Sequence, residues 1–232
     1  MTAPANFLRL NAAGLNRQHI FNIDDLPGAL LSQLAPQAHE RQLILIGHGG
    51  RDLWSALQAA APDTADPIDA FTCHEIAGWL ADTQPTARYR ILYPGSAPVN
   101  LQKIGELAGW HHSSPLMLSV DTHWGSWQAY RALVLAETNL PPSPRDTSTA
   151  ACPDCATQAC LTACPAHALT TSGLHLQRCM DWRLSDDSPC ASTCLAREQC
   201  PAGSTHRYEP AQIRHSYSVS LNWLRQAKAE SA

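Results

Sequence analysis

Apolar positions along this chain come in short runs broken by glycine, proline and aspartate, and their periods predict alternating strands and helices. Residues 42–47, Gln-Leu-Ile-Leu-Ile-Gly, read as a buried strand, with Gly47-His48-Gly49-Gly50 as its turn. Arg51 to Ala61 is rich in helix formers, places Leu53, Trp54 and Leu57 on one face and stops before Pro62. Asp66-Pro67 opens a second helix carrying Ile68, Phe71, Ile76, Trp79 and Leu80. A strand follows at Tyr89 to Tyr93. A third helix starts at Pro98, with Val99, Leu101, Ile104, Leu107 and Ala108 on its apolar side and Gly109 as its stop. Leu116 to Val120 reads as a third strand, and Trp127 to Glu137 fits either strand or helix.

Beyond this the pattern changes. Leu140 to Thr149 holds three prolines and no apolar period, the mark of a linker. The boundaries predicted are an α/β domain over 1–139, a linker over 140–150 and a second domain over 151–232, closed by an amphipathic helix bearing Ile213, Tyr217, Leu221 and Leu224.

Cysteine usage separates the two parts more sharply. Eight of nine cysteines lie between Cys152 and Cys200, and the first 151 residues contain only Cys73. The beginning of the chain, Met1 to Asn6, lacks the charged and apolar regions of a signal peptide, and no apolar run is long enough to span a bilayer. A cytoplasmic protein is therefore expected, where clustered thiols serve as metal ligands or redox groups more often than as disulfides. A net charge of −4 without basic runs gives no footprint for nucleic acid, which is not an expected partner.

The first cysteine group is Cys152, Cys155, Cys160 and Cys164-Pro165. It follows the bacterial ferredoxin order C-x2-C-x2-C-x3-C-P, except that four residues fill its middle gap. The second group is Cys179, Cys190, Cys194 and Cys200-Pro201. Two groups of four supply the ligands of two 4Fe-4S clusters. If the ferredoxin crossover applies, Cys152, Cys155, Cys160 and Cys200 hold one, and Cys164, Cys179, Cys190 and Cys194 the other. The rival reading is two structural zinc sites, although only Cys152 and Cys155 have the knuckle spacing.

Other signals are weaker. Gly47-His48-Gly49-Gly50 lacks the spacing of a dinucleotide loop, so a tight turn is the simpler reading. Cys73, beside His74, reads as packing. His111, His112, His123, His206 and His215 read individually as surface or hydrogen-bonding groups. Trp110, Trp124 and Trp127 form a local aromatic concentration, read as core before cofactor wall.

Gly95-Ser96-Ala97-Pro98-Val99, Ala108-Gly109-Trp110, Gly125-Ser126-Trp127 and then the cysteine groups, with Arg178-Cys179-Met180 in the isolated position, resemble the epoxyqueuosine reductase family. The resemblance covers roughly residues 90–201. It implies a nitroreductase-like α/β sandwich joined to a small ferredoxin-like α+β iron-sulfur domain, the crossover pairing of the cysteines, cobalamin as a cofactor of the α/β part, and an electron donor such as a flavodoxin or reductase. The aspartate implied as proton donor falls on Gly95, which cannot donate one. The expected function is an iron-sulfur redox protein serving an acceptor at the α/β domain. A simple ferredoxin-type carrier or assembly partner is the alternative, and a zinc-stabilised interaction module the third.

Overall fold

The structure, a computed structural model, describes residues 6–230, so Met1 to Ala5 of the N-terminal reading lie outside the described residues. The chain divides into two compact units, one of residues 1–110 with 128–147, the other of residues 111–127 with 148–232.

The first unit is built on a four-stranded antiparallel sheet of β1 (Arg17–Asn22), β2 (Gln42–Gly49), β3 (Tyr89–Tyr93) and β4 (Gln128–Ala136), in the order β1-β2-β4-β3. Its helices are α1 (Leu8–Ala12), α2 (Gly28–Leu34), α3 (Asp52–Ala60), α4 (Pro67–Thr83) and α5 (Leu101–Ala108). All eight residues of β2 are buried because both faces of the sheet are covered. Ile44, Ile46, Ala132 and Val134 pack with Leu53 and Leu57 of α3 and Ile76, Trp79 and Leu80 of α4. Leu43, Leu45, Leu133 and Leu135 pack with Leu30 and Leu34 of α2 and Ile104 and Ala108 of α5. A strand buried on both sides loses its alternation, which is why 42–47 reads as a continuous apolar run. Each such Leu or Ile contributes about 1.5–3 kcal/mol by burial.

Several expectations are corrected. The Gly47 to Gly49 stretch is strand, not turn: β2 continues to Gly49 through a register shift after Ile46, and the chain turns at Gly50. A side chain at Gly47 would meet the Ala129 carbonyl oxygen at 2.8 Å, so close backbone approach explains this glycine. The third helix begins at Leu101, because the Asn100 side chain accepts a hydrogen bond from Lys103 N at 3.0 Å and caps it there. Residues 128–136 are strand, because β2 and β3 both offer pairing edges. Leu116 to Val120 is not a strand. Local hydrogen bonds compete successfully there: Ser114 Oγ donates to Leu118 O at 2.7 Å, and His112 N donates to Ser119 Oγ at 3.0 Å. β1, α1 and α2 carry no strong periodic signal and emerge only in the fold.

The proline tract is fastened to the first unit. Leu140 is buried, Ser143 N donates to Ile20 O at 2.9 Å, and Ile20 N donates back to Ser143 Oγ at 3.1 Å. These bonds satisfy the outer edge of β1.

The second unit has little regular structure. It contains α6 (Ala159–Thr162), a hairpin of β5 (Leu169–Thr170) and β6 (Gly173–Leu174), α7 (Leu176–Leu184), α8 (Leu195–Glu198), a 3-10 turn (Ser204–His206) and the long α9 (Pro210–Glu230). Its apolar clusters are small: Cys164, Ala168, Leu169 and Ala196 form one, and Trp127, Tyr208 and Ile213 the other.

Candidate functional site

All nine cysteines are free thiols. Turns and very short helices present the eight of the second unit. Cys152 and Cys155 flank a turn closed by Cys155 N donating to Cys152 O at 3.2 Å. Cys160 lies on α6, Cys164 just after it and Cys179 on α7, while Cys194 caps α8 and Cys200 follows its end.

These thiols line two separate cavities. The first, about 370 Å3, is walled by Cys152, Cys155, Cys160 and Cys200, with Pro153 and Pro201 beside them. The second, about 210 Å3, is walled by Cys164, Cys179, Cys190 and Cys194 together with Arg183 and Tyr217.

Electrostatic interactions run within the same sets. Burial pushes the Cys152 thiol up, and the charges of Cys200, Cys160 and Cys155 push it further. Cys160 is raised by burial and by Cys200 and Cys155. In the second set, burial raises Cys179, with Cys194, Cys164 and Cys190 adding to it and Arg183 opposing. Cys190 is likewise raised by burial and by Cys194 and Cys164. Cys155 is the exception, held below the ordinary thiol value by the Gln158 backbone N–H and by Thr157, whose Oγ1 lies 3.8 Å from its Sγ. Four thiolates crowded into one apolar cavity repel one another, and a bound cationic centre relieves that repulsion.

The donor set and the space suit a multi-atom group. Each cavity exceeds the roughly 30 Å3 share of one water several-fold, whereas a tetrahedral zinc draws its sulfurs to about 2.3 Å from one point. Among the described residues, no three His, Cys, Asp or Glu side chains are drawn together to hold a single metal ion. Backbone N–H groups face several sulfurs: Ala168 N donates to Cys164 Sγ at 3.4 Å, and the backbone N–H groups of Ala202 and Leu195 favour the thiolates of Cys200 and Cys190. Such donors tune iron-sulfur centres.

Arg183, Arg197 and the hydroxyl of Tyr217 escape the sequence reading. Arg183 donates to Cys190 O at 3.2 Å and to Tyr217 O at 2.9 Å. Tyr217, read as part of an apolar helix face, is raised by burial, and its hydroxyl interacts with both Cys194 and Arg197. Arg197 is buried and donates to Ser126 O at 2.5 Å. The one visible signal was an arginine inside a cysteine-rich segment.

The remaining candidates sit elsewhere. Cys73 is half-buried on α4, its thiol raised by burial and by Asp69, as a packed cysteine would be. The three tryptophans do not share one wall: Trp110 belongs to the first unit, where the Arg17 guanidinium lies 4.5 Å above its ring, while Trp124 meets His123 and His206 and Trp127 meets Tyr208 in the second. His111 and His112 open the loop of the second unit, and His112 Nε2 lies 3.5 Å from Ser148 Oγ. His215 lies on α9. Gly95 follows β3 and the cis Tyr93-Pro94 bond in a turn without a titratable side chain of its own.

No family model and no curated protein matches the chain. Solved structures do. An epoxyqueuosine reductase determined with an epoxyqueuosine-modified tRNA stem loop is 14% identical with a TM-score of 0.52, over 88% of this chain and 66% of that one. The epoxyqueuosine reductase from Bacillus subtilis is 14% identical at 0.50, over 87% of this chain and 66% of that one. That from Streptococcus thermophilus is 13% identical at 0.50, over 84% and 64%. The chain thus spans slightly under two thirds of the length of these reductases, and what it shares with them is their fold.

Proposed function

We propose that the chain is an iron-sulfur redox protein in which Cys152, Cys155, Cys160 and Cys200 hold one 4Fe-4S cluster and Cys164, Cys179, Cys190 and Cys194 hold another. The observation that carries this reading is the sorting of eight thiols into two cavities with four in each. When bound, each cluster supplies a one-electron centre of low potential. The chain's own part is to bind, shield and tune. The apolar walls exclude water, Ala168 N and its counterparts donate to sulfur, and Arg183 sets a positive charge beside the second set.

The electrons would come from a donor such as a flavodoxin or a reductase and serve an acceptor at the α/β unit. A corrinoid is the acceptor implied by the sequence resemblance. Gly95 favours a second reading, a plain electron carrier or assembly partner, because the position where the resemblance implies an acid holds a glycine, which has no proton to donate.

Anaerobically purified protein tests the reading directly. About eight irons and about eight acid-labile sulfides per chain, with the EPR signals of reduced cubanes, are expected. Zinc in place of iron would reject it in favour of an interaction module. Titration with cobalamin separates the first two readings: a shift of the corrinoid spectrum at micromolar protein supports an acceptor site, and an unchanged spectrum at millimolar cobalamin leaves the carrier.

A further inference from the structure

The two cysteine cavities differ in charge. The first is lined by no Lys, Arg, Asp or Glu, whereas one such side chain, Arg183, stands in the wall of the second. Arg183 lies on α7 four residues after Cys179, so the two share a face of that helix. Its guanidinium is held from several sides. Nε donates to Cys190 O at 3.2 Å, Nη2 to Tyr217 O at 2.9 Å and Ala191 O at 3.4 Å, and Nη1 to Ser220 Oγ at 2.9 Å. The Tyr217 ring, also in the cavity wall, has its centre 5.3 Å away. All these partners are neutral, and among the described residues no carboxylate pairs with this arginine.

Such a fork fixes the charge in place. Two of its acceptors, the carbonyls of Cys190 and Ala191, belong to the loop that presents one thiol of the second set, while α7 presents another, Cys179. The guanidinium therefore ties two members of that set together, and it cannot swing away from the cavity without giving up four hydrogen bonds. Arginine suits this role, because its charge is permanent and its planar fork serves several acceptors at once. The wall of the first cavity has no counterpart.

Building on the two-cluster reading above, we infer that Arg183 is a positioning residue that makes the second cysteine set the first to be reduced, so that an electron rests there before the set of Cys152, Cys155, Cys160 and Cys200 takes one. Each reduction takes one electron from a low-potential one-electron donor, and no bond forms or breaks. The added negative charge is stabilised by a fixed cation close by, the more so where the surroundings are of low dielectric. Only the second cavity has such a cation in its wall.

The test compares wild type with Arg183→Gln, Arg183→Lys and Ser220→Asp. Iron and acid-labile sulfide are counted, and midpoint potentials are read by EPR-monitored titration at low ionic strength, because salt screens a half-exposed charge. Wild type should give two separate waves. Arg183→Gln should lower the reduction equilibrium constant of the higher-potential wave about tenfold, a fall of 59 mV for one electron, and leave the lower wave within about twofold. Arg183→Lys, which keeps the charge, should hold the higher wave within about threefold of wild type. Ser220 is exposed on α9, so Ser220→Asp sets a carboxylate beside an intact Arg183 without touching the core, and should lower the same wave. It decides the matter should Arg183→Gln lose its iron. A single merged wave in wild type overturns the inference, as does an unchanged higher wave or a fall in the lower one, in iron-replete Arg183→Gln or in Ser220→Asp where it has to decide. A fall of about tenfold in iron-replete Arg183→Lys also overturns it and leaves Arg183 a structural clamp. Wild type lacking iron and sulfide overturns the two-cluster reading itself, and the inference with it.

Discussion

Cys155 differs from its neighbours because the Gln158 backbone N–H and Thr157 stabilise its thiolate, while burial raises Cys152, Cys160 and Cys200. Since the thiolate is the reactive form, iron-free protein treated with limiting iodoacetamide near neutral pH should be alkylated first at Cys155, as peptide mass mapping would report. Preferential labelling of Cys152 or Cys160 would contradict the local electrostatics. His19 tells a different story in the first unit. It is 4% exposed, packed on Phe21 at 4.3 Å between ring centres, and burial lowers its pKa from 6.5 to about 4 against the pull of Asp146. A depressed histidine favours the fold while it stays neutral. That contribution is complete above the unfolded value of 6.5 and is lost as the pH falls from there towards about 4, by up to about 3 kcal/mol. Chemical denaturation across that window should show the first unit weakening, and His19→Gln should flatten the slope.

At the scale of elements, the second unit depends on two glycines whose backbones meet. Gly125 and Gly203 both take left-handed conformations, with φ of 58° and 60°. A side chain at Gly203 would sit 2.2 Å from the Trp124 carbonyl carbon, and one at Gly125 would sit 2.0 Å from the Ala202 carbonyl oxygen. Neither backbone can move aside cheaply, because the Gly203 loop follows directly on Cys200. Gly203→Ala should therefore cost on the order of 1–3 kcal/mol from the left-handed conformation alone. It should also drop iron from about eight towards about four per chain, with the loss confined to the first cavity's EPR signal. Full iron content in this variant would show that the loop does not position Cys200.

For the whole molecule, the two units differ in what holds them together. The first has a four-stranded sheet covered on both faces, with its Ile, Leu and Trp side chains almost fully buried. The second has two-residue strands, two helices of four residues beside α7 and the long α9, and apolar clusters of three or four buried side chains. Under the proposed two-cluster reading, so little core would make the fold of this unit depend on the clusters. Removing iron with an oxidant and chelator should open the segment 148–230 to limited proteolysis while the sheet-bearing unit persists, and calorimetry should show a low-temperature transition appear. Equal protection of both units after iron removal would mean that the second unit folds on side-chain packing alone. No helix of the described residues is long and apolar enough to cross a membrane.

The order of residues alone was enough to mark out the first part of β2, the helices at 52–60 and 67–83, and the concentration of eight cysteines, because apolar period, helix caps and ligand spacing are local properties. The cysteine order also proposes which four belong together, and the cavities are lined by those same two sets. Other features depend on partners far away in sequence. Residues 128–136 became strand because two edges were waiting for them, and 116–120 did not because none was. Loop 111–127 joined the second unit through contacts such as Gly125 against Ala202. The charge of Arg197 acquired its setting only when Ser126, Trp127, Tyr208 and Tyr217 were folded around it, since burial and electrostatics are sums over neighbours that sequence proximity does not supply.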